Sequence, residues 1–354
     1  MRDSRNLPVW ARPAVVVGYL GLLMALWRMQ GVLTDKEALK YLGCAEQVLQ
    51  GDLHDLLGNY RHYGTYVLFL LPFVALGAPT LAVPIQAVLM LFAARALERS
   101  VLRAGGSERV GLLTAAVFLF ALPVQQWVPA LYTEALFAAL TLMFLDQMLL
   151  RERPGRWALP LALALLFARP VGILVVGPLT VWWLTRGRAP WTTWAGHAAV
   201  LALAVLSPTV PGPQLHIILG SEVLCGCGTH PDAALGFTGH SVLDTQLHLG
   251  ATLGPGTLLE LWGLRLLSLF TFLRPHYSTA HNLLLAPWLL LPLLAALGLW
   301  MQRRTAWVKA VTAVLVVYAL LVMFTCDEWS GRFLVPLVGP LLLPAALAVA
   351  RRVE

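Results

Sequence analysis

The stretch 13–33, PAVVVGYLGLLMALWRMQGVL, contains a single charged residue and is followed at once by TDKE at 34–37. A helix needs ~20 mostly apolar residues to cross a bilayer, so this stretch is long enough to be a membrane span. Hydrophobic residues make up 58% of the chain, and the mean hydropathy is +0.73. A soluble fold cannot bury that much apolar surface. The sequence therefore predicts an all-α, polytopic transmembrane helical bundle.

Basic residues before and between the apolar stretches indicate the orientation of the chain. No small-residue cleavage site follows the first stretch, so we expect a signal anchor rather than a cleaved signal peptide. The net charge is +7, but the basic groups are dispersed over short loops, as is typical of cytoplasmic loops. Topology explains this charge, and nucleic acid is not expected as a partner. Six clusters account for 17 of the 25 Lys and Arg: Arg2/Arg5/Arg12, Arg95/Arg99/Arg103/Arg109, Arg151/Arg153/Arg156, Arg186/Arg188, Arg303/Arg304/Lys309 and Arg351/Arg352.

If all six clusters are cytoplasmic, an even number of crossings separates each from the next. This rule predicts about ten spans, with both termini cytoplasmic, a first outer loop at 34–78 and a long outer loop at 209–280. The whole chain, 1–354, is expected to be a single transmembrane domain in the cell (inner) membrane. The predicted spans are 13–33, 79–97, 109–128, 135–150, two short segments within 157–185, 191–208, 281–300, 306–325 and 333–350.

Three apolar segments do not fit this rule as ordinary spans. The segment 63–76 is short, and a crossing at 258–273 would put later basic clusters outside, so both are predicted to be juxtamembrane helices on the outer face. The segment 157–185 is either a short hairpin or one long tilted helix. We favour a hairpin with Arg169 and Pro170 at a sunken turn, because intramembrane charges are tolerated in protein cavities.

Polar chemistry collects on the predicted outer face. Twelve of the 18 acidic residues and eight of the nine histidines fall there. The cytoplasmic loops are short, basic and without a Gly-rich phosphate-binding motif, so no nucleotide site is expected in them. Four cysteines lie on or near the outer face, and they are expected to be structural, free or bonded over long range, rather than a zinc site. They are Cys44, Cys225, Cys227 and Cys326.

Two acidic positions border spans on that face. Asp35 and Glu37 follow the first span near the start of a helix predicted for 35–50, so Asp35 is alternatively a helix N-cap. Glu134 ends the sequence YTE at the next outer turn, where a helix N-terminus accommodates an acid without any function. Each acid is thus a candidate site residue with a structural alternative.

Two further clusters on the outer face carry cations. RPHY at 274–277 contains His276 and is alternatively an ordinary interfacial belt. DEWSGRF at 327–333 ends with Arg332 at the mouth of the last span, where a surface ion pair with the preceding acids is the alternative. Arg suits a phosphate because its planar guanidinium makes bidentate hydrogen bonds at constant charge.

The order of these features resembles the GT-C superfamily of integral-membrane glycosyltransferases, which use polyprenyl-phosphate-linked sugars on the outer face. Within that superfamily the chain resembles the mannosyltransferases. The resemblance covers nearly the whole chain as a pattern of spans and loops, although each motif is short. It has four parts: TDKE at 34–37 with Tyr41, Ala45 and Gly51-Asp52; YGTY at 63–66 through Leu76-Gly77; YTE at 132–134; and GRFLVPL at 331–337.

The resemblance implies roles for the acids. Asp35 matches the first-loop acid, which is the expected general base, and Glu134 matches the second-loop acid. Glu37 or Glu134 would orient the acceptor or the sugar. Relatives often have Asp where this chain has Glu134. A single displacement of this kind would invert the anomeric centre, with a lipid or glycan as acceptor.

The resemblance also implies cations around the lipid phosphate. Arg332 matches a basic residue near that phosphate, and Arg169 or His276 would join it to hold the charge that develops on the leaving group. Arg169 stands where relatives often have Lys in the turn between the fifth and sixth spans. A divalent metal, Mg or Mn, between Asp35 and Glu134 is left open, because carboxylates suit such ions but the ligand count is not given by the sequence.

Two other classes of protein share this composition. A multi-pass lipid or solute transporter or flippase is the main alternative, but such proteins tend to show internal repeats and mid-membrane polar residues. No repeat is evident here, and Asp146 and Arg169 are exceptional as charges within predicted spans. A structural subunit of an envelope assembly is the third possibility. We expect an enzyme of the cell envelope whose partners are the lipid bilayer and a polyprenyl-phosphate-linked sugar.

Overall fold

The computed structural model describes residues 8–149, 154–184, 242–274, 277–325 and 331–353. Within these ranges the chain is all-helical, and the β-structure is confined to an isolated parallel bridge between Leu33 and Ala130. The helices are α1 (Ala11–Gln30), α2 (Glu37–Leu49), α3 (His54–Leu57), α4 (Gly64–Ala75), α5 (Ala82–Arg103), α6 (Glu108–Leu119), α7 (Leu122–Gln125), α8 (Thr133–Met148), α9 (Ala158–Leu166), α10 (Ile173–Leu184), α11 (Val242–Leu253), α12 (Pro255–Phe270), α13 (Thr279–Leu285), α14 (Leu290–Met301), α15 (Ala306–Thr325) and α16 (Val335–Val353).

Four helical segments in the described part of the chain are long and apolar enough to cross a membrane. This confirms a helical membrane protein in outline, whereas the count of about ten spans stays a prediction. The predicted span 191–208 lies outside the described residues. The four segments are Ala11–Gln30, Pro79–Arg103, Thr279–Met301 and Ala306–Phe324, and two shorter apolar ones are Pro170–Leu184 and Val335–Ala350.

Helix α8 is the centre of the bundle, because 14 of its 16 residues are buried. It packs against α5, α9 and α16, and a helix that is apolar on every side is expected in such a position. Helix α16 in turn packs closely on α14. The backbones of these two helices approach so closely that a Cβ on Gly298 would overlap the Pro344 carbonyl, which explains glycine there.

The segments predicted as juxtamembrane helices are helical. Helix α4 lies within the predicted 63–76, and α12 overlaps the predicted 258–273. In the first predicted outer loop, α2 packs against α4 through Tyr41, whose ring centroid lies 5.4 Å from that of Tyr63 and 5.2 Å from that of Tyr66. This loop is therefore a packed helical unit that holds the start of α2 in place.

Two of the predicted apolar segments are interrupted in the structure. The segment 157–185 forms two helices, α9 and α10, with Arg169 and Pro170 between them, so the single long helix is excluded. The predicted extent of the span 109–128 is wrong, because α6 ends at Leu119 and Ala121 is extended ahead of Pro123. Pro123 has no N–H to donate, and its ring would clash with the Leu119 carbonyl four residues earlier, so α6 cannot continue through it.

Ion pairs gather at one end of the bundle. Arg12 at the start of α1 pairs with the buried Glu98 of α5, with 3.0 Å between Nη2 and Oε1. Arg99 and Arg103 of α5 pair with Asp146 near the end of α8. Arg12 thus lies near Arg99 and Arg103 at this end of the bundle, and the opposite ends of α1 and α8 meet at the Leu33–Ala130 bridge.

Candidate active site

The segment that leads into α8 is fixed by hydrogen bonds to two other parts of the chain, Leu33 and the side chain of Gln86. Leu33 N–H donates to the Pro129 carbonyl at 3.1 Å, and Leu131 N–H donates to the Leu33 carbonyl at 2.9 Å. The buried Gln86 side chain of α5 donates to the carbonyls of Val128 (2.9 Å) and Ala130 (3.0 Å). The start of the first predicted outer loop is therefore held against the start of α8.

Glu134, in the first turn of α8, is fully buried between two arginines. Its Oε1 accepts hydrogen bonds from Arg332 Nε at 2.5 Å and from Arg169 Nη1 at 3.2 Å. Burial opposes the charged form, but the Arg169 and Arg332 guanidiniums outweigh it, so the pKa of Glu134 is lowered. A buried carboxylate needs such partners, and the helix N-terminus also favours its charge.

Arg169 is held by the turn between α9 and α10. The Thr65 N–H at the start of α4 donates to the Phe167 carbonyl at 2.8 Å, and the His62 ring stacks on the Phe167 ring with centroids 6.1 Å apart. The His62 pKa is lowered, mainly by burial. The Arg169 side chain is only 10% exposed, so Glu134 is its principal charged contact.

Arg332 lies just before α16 and is more accessible, with 23% of its side chain exposed. Its guanidinium carbon is 5.6 Å from the Trp127 ring centroid and 5.2 Å from the Tyr132 ring centroid. Its Nη2 lies 3.8 Å from Glu37 Oε2, which is an ion pair rather than a hydrogen bond. Arg332 is thus bordered by both predicted acids, Glu37 and Glu134.

Glu37 is half-buried in the first turn of α2. The Tyr41 hydroxyl donates to Glu37 Oε2 at 3.2 Å, and Lys40 Nζ contacts Oε1 at 3.3 Å. Tyr41 itself is buried, so one oxygen of Glu37 is fixed by a hydrogen bond from a residue of the protein interior. The carboxylate consequently remains beside Arg332.

Asp35 is exposed and does not cap α2. Lys36 is the residue that flanks the helix, and no side-chain capping bond is present, so the N-cap interpretation is wrong. Asp35 Oδ1 instead accepts from the Tyr132 hydroxyl at 3.2 Å. Burial, then the hydrogen bond to Asp35, raise the Tyr132 pKa to about 12, so this hydroxyl keeps its proton. Tyr132 therefore links Asp35 to Arg332.

Three buried polar atoms near this cluster have no hydrogen-bond partner within the described part of the chain. They are Glu134 Oε2, Thr133 Oγ1 and Trp127 Nε1. Buried polar groups are almost always hydrogen-bonded, and an exception at a cluster of charges indicates a place for a ligand. A carboxylate oxygen and two N–H or O–H groups suit a ligand that carries hydroxyls.

The predicted cluster around 274–277 divides in the structure. Arg274 is used locally, because its Nη2 donates to the Ser268 carbonyl at 2.9 Å and its Nη1 to the Thr271 carbonyl at 2.5 Å, at the end of α12. His276 lies outside the described residues, so its predicted contact with phosphate stays a prediction. Cys225, Cys227, Cys326 and the acids at 327–328 lie outside them too, while Cys44 is a buried free thiol.

The donor set does not fit the divalent cation that the sequence left open. Glu134 already shares one oxygen between two guanidiniums, and their charge would repel a metal ion. Across the described ranges, no three His, Cys, Asp or Glu side chains come together as a metal site. No step of the chemistry below is therefore assigned to a metal.

Sequence reasoning missed the aromatic residues that organise the cluster. Tyr132 and Tyr41 stand in the quoted motifs but were given no role, and Trp127 was not considered. The only signal was the density of Trp and Tyr next to charged residues at 127–134. That density does not tell which ring meets which side chain.

Comparisons of the chain with known protein families, with curated proteins and with solved structures find no match. A function is therefore proposed from the residues and their geometry.

Proposed function

We propose that the protein is a membrane glycosyltransferase of the GT-C type that moves a sugar from a polyprenyl-phosphate donor to an acceptor hydroxyl. The observation that carries the proposal is the meeting of five predicted residues from four separate segments. Asp35 and Glu37 come from the loop after α1, and Glu134 from the start of α8. Arg169 and Arg332 come from two further turns and share Glu134.

Asp35 has the properties of the base. Its carboxylate is exposed, so an acceptor hydroxyl can reach it, and the Tyr132 hydroxyl holds it by one oxygen. The acceptor oxygen attacks the anomeric carbon while its proton passes to Asp35. The bond between that carbon and the phosphate oxygen breaks, and the phosphate leaves with the bonding electrons. One such displacement inverts the anomeric centre.

Arg332 is the cation for the leaving phosphate. It is partly exposed, and a guanidinium placed where negative charge develops stabilises the transition state. Arg169 is too enclosed to share this contact, so we narrow its role to balancing Glu134. Glu134 positions both arginines through Oε1, and its buried Oε2 has no hydrogen-bond partner within the described residues.

The compartment and topology belong to the same proposal. The site lies at the opposite end of α8 from the pairs that Arg99 and Arg103 form with Asp146. Basic residues at one end favour a cytoplasmic position for that end. We therefore propose about ten spans in the inner membrane, with both termini cytoplasmic and the site at the outer face.

Purified protein supplied with polyprenyl-phosphate sugars provides the test, with release of the lipid phosphate as the readout. Wild type is expected to release it, and Asp35→Asn is expected to be at least ~100-fold slower, because the base is lost. Asp52→Asn is the matched control, since Asp52 is an exposed acid of the same loop that accepts a bond from its own neighbour His54.

Unchanged turnover in a folded Asp35→Asn protein would overturn the assignment of the base. Movement of the lipid across the bilayer without release of phosphate would instead favour the transporter or flippase.

A further inference from the structure

We propose that Glu37 sets the charge preference of the Arg332 site, so that the site accepts a singly charged phosphodiester and disfavours a doubly charged phosphomonoester. The inference rests on the proposed function, because it takes Arg332 as the cation for the donor phosphate. It adds a specificity-determining role for Glu37, a residue that the proposed displacement does not need as a base.

The nitrogens of the Arg332 guanidinium differ in their contacts within the described residues. Nε donates to Glu134 Oε1 at 2.5 Å, and the guanidinium carbon lies 5.6 Å from the Trp127 ring centroid and 5.2 Å from the Tyr132 ring centroid. Among the described residues the terminal nitrogens have no hydrogen bond, and Nη2 is the one that lies 3.8 Å from Glu37 Oε2. A phosphate that binds the terminal nitrogens of Arg332 therefore comes next to the Glu37 carboxylate.

Glu37 is held at this position. The buried Tyr41 hydroxyl donates to the same Oε2 that faces Arg332, and Lys40 contacts the other oxygen. An incoming anion consequently meets a fixed negative charge rather than a side chain that is free to move away. The Tyr41 contact is the observation that distinguishes Glu37 from an acid that merely lies nearby.

The charge of the ligand decides how strongly this matters. Attraction to Arg332 and repulsion from Glu37 both grow with ligand charge, but the carboxylates of Glu134 and Glu37 offset part of the Arg332 charge before any ligand binds. A phosphodiester carries one negative charge. A phosphomonoester has a second pKa of about 6 and carries close to two charges at neutral pH. When the sugar leaves, the diester becomes a monoester, so the same carboxylate favours release of the lipid phosphate product.

The test measures binding of two probes at pH 8 to the full-length protein in detergent. The probes are decyl methyl phosphate, with one charge, and decyl phosphate, with two. Wild type is expected to bind the diester about fivefold more tightly. Glu37→Gln is expected to bind the monoester about tenfold more tightly than wild type does and to lose the preference, because the fixed repulsion is gone.

Two variants serve as controls. Glu46→Gln removes the same charge from an exposed position of α2 and is expected to behave as wild type. Glu37→Asp keeps the charge and is expected to keep the preference for the diester. Equal binding of the two probes by wild type, or an unchanged preference in folded Glu37→Gln, would overturn the inference while leaving the phosphate site intact.

Failure of the proposed function has a different signature. It would show as no binding of either probe to wild type, or as binding that Arg332→Gln leaves unchanged. The Arg332 site and the role of Glu37 would then both be rejected.

Discussion

Helix α8 has a buried acid near each end, and each acid is held by two arginines. Glu134 in the first turn contacts Arg169 and Arg332, and Asp146 near the last turn contacts Arg99 and Arg103. Glu134 and Asp146 are both fully buried. The two ends thus have the same charges, yet they differ in how the acid oxygens are used.

Both carboxylate oxygens of Asp146 accept hydrogen bonds, whereas only one oxygen of Glu134 does so within the described residues. Arg103 donates to Asp146 Oδ1 at 2.5 Å and Arg99 to Oδ2 at 2.9 Å, and both arginines lie one turn apart on α5. The partners of Glu134 come from two separate turns and use a single oxygen, so Oε2 has no hydrogen bond within the described residues. The difference teaches that the Asp146 cluster joins two helices, while the Glu134 cluster joins α8 to the turns that carry Arg169 and Arg332.

The largest expected effect is a difference in turnover between variants of Glu134 and of Asp146. Glu134→Gln should lower turnover of the lipid-linked sugar by about 100-fold, because Arg332 and Arg169 lose the charge that positions them. Asp146→Asn makes the same change at the other end of α8 and should stay within about twofold of wild type per folded molecule, since it touches no proposed substrate contact. Release of lipid phosphate measures both. Equal losses in the two variants would contradict the distinction between the clusters.

The second effect separates them by stability. Asp146→Ala should lower the free energy of unfolding by about 1.5 kcal/mol, because it removes hydrogen bonds from two charged groups, while Arg99 and Arg103 are partly exposed and remain solvated. Thermal unfolding in detergent measures the change. Glu46→Ala, at an exposed position of α2, is the control and should change little. A midpoint for Asp146→Ala that matches the control would mean that the pair does not fasten α5 to α8.

A third, smaller effect tests the hydrogen bond between Tyr132 and Asp35, near the Glu134 cluster. Tyr132→Phe removes the hydroxyl that holds Asp35 but keeps the ring beside Arg332, so turnover should fall about tenfold, as expected for one hydrogen bond to a charged group. Probe binding at Arg332 should be unchanged. A loss of phosphate binding with intact turnover would contradict the proposal that the hydroxyl positions Asp35 while the ring supports Arg332.

The smallest expected effect concerns Lys36, between the two loop acids. Its φ of 48° and ψ of −107° lie in a region that favours glycine. Lys36→Gly should raise the free energy of unfolding by about 1 kcal/mol by relieving this strain, and lower turnover slightly by loosening Asp35. Lys36→Ala keeps the strain and is the control. A less stable glycine variant would show that the Lys36 side chain, rather than the backbone, matters.

Hydropathy predicted the helical class and the positions of most helices, because burial in a bilayer selects long apolar stretches whatever their neighbours. The even number of crossings between basic clusters, with the preference for Arg169 in a protein cavity, favoured the break at Arg169 and Pro170 that the structure shows. The end of α6 was misjudged because apolar residues continue past Leu119 while Pro123 and its neighbours change the backbone. The count of spans stays a prediction.

The acids and arginines of the candidate site were predicted as separate positions, but their pairing was not. Hydropathy and charge order along the chain do not show that Arg169 and Arg332 share one oxygen of Glu134. They also do not show that Asp35 faces Tyr132 instead of its own helix. These contacts depend on which loops meet at the end of a bundle, and that is decided by packing far from the loops themselves.

The backbone bridge between Leu33 and the segment before α8 has a mechanical consequence. Asp35, Tyr132 and Glu134 are joined through it into one body, to which Arg332 is attached by side chains alone. We therefore expect Asp35, Tyr132 and Glu134 to keep their spacing when a bulky lipid binds. Spin labels at Thr34 and Gln126 should keep the same separation with and without donor. The first loop and the start of α8 would then form the fixed part of the proposed site.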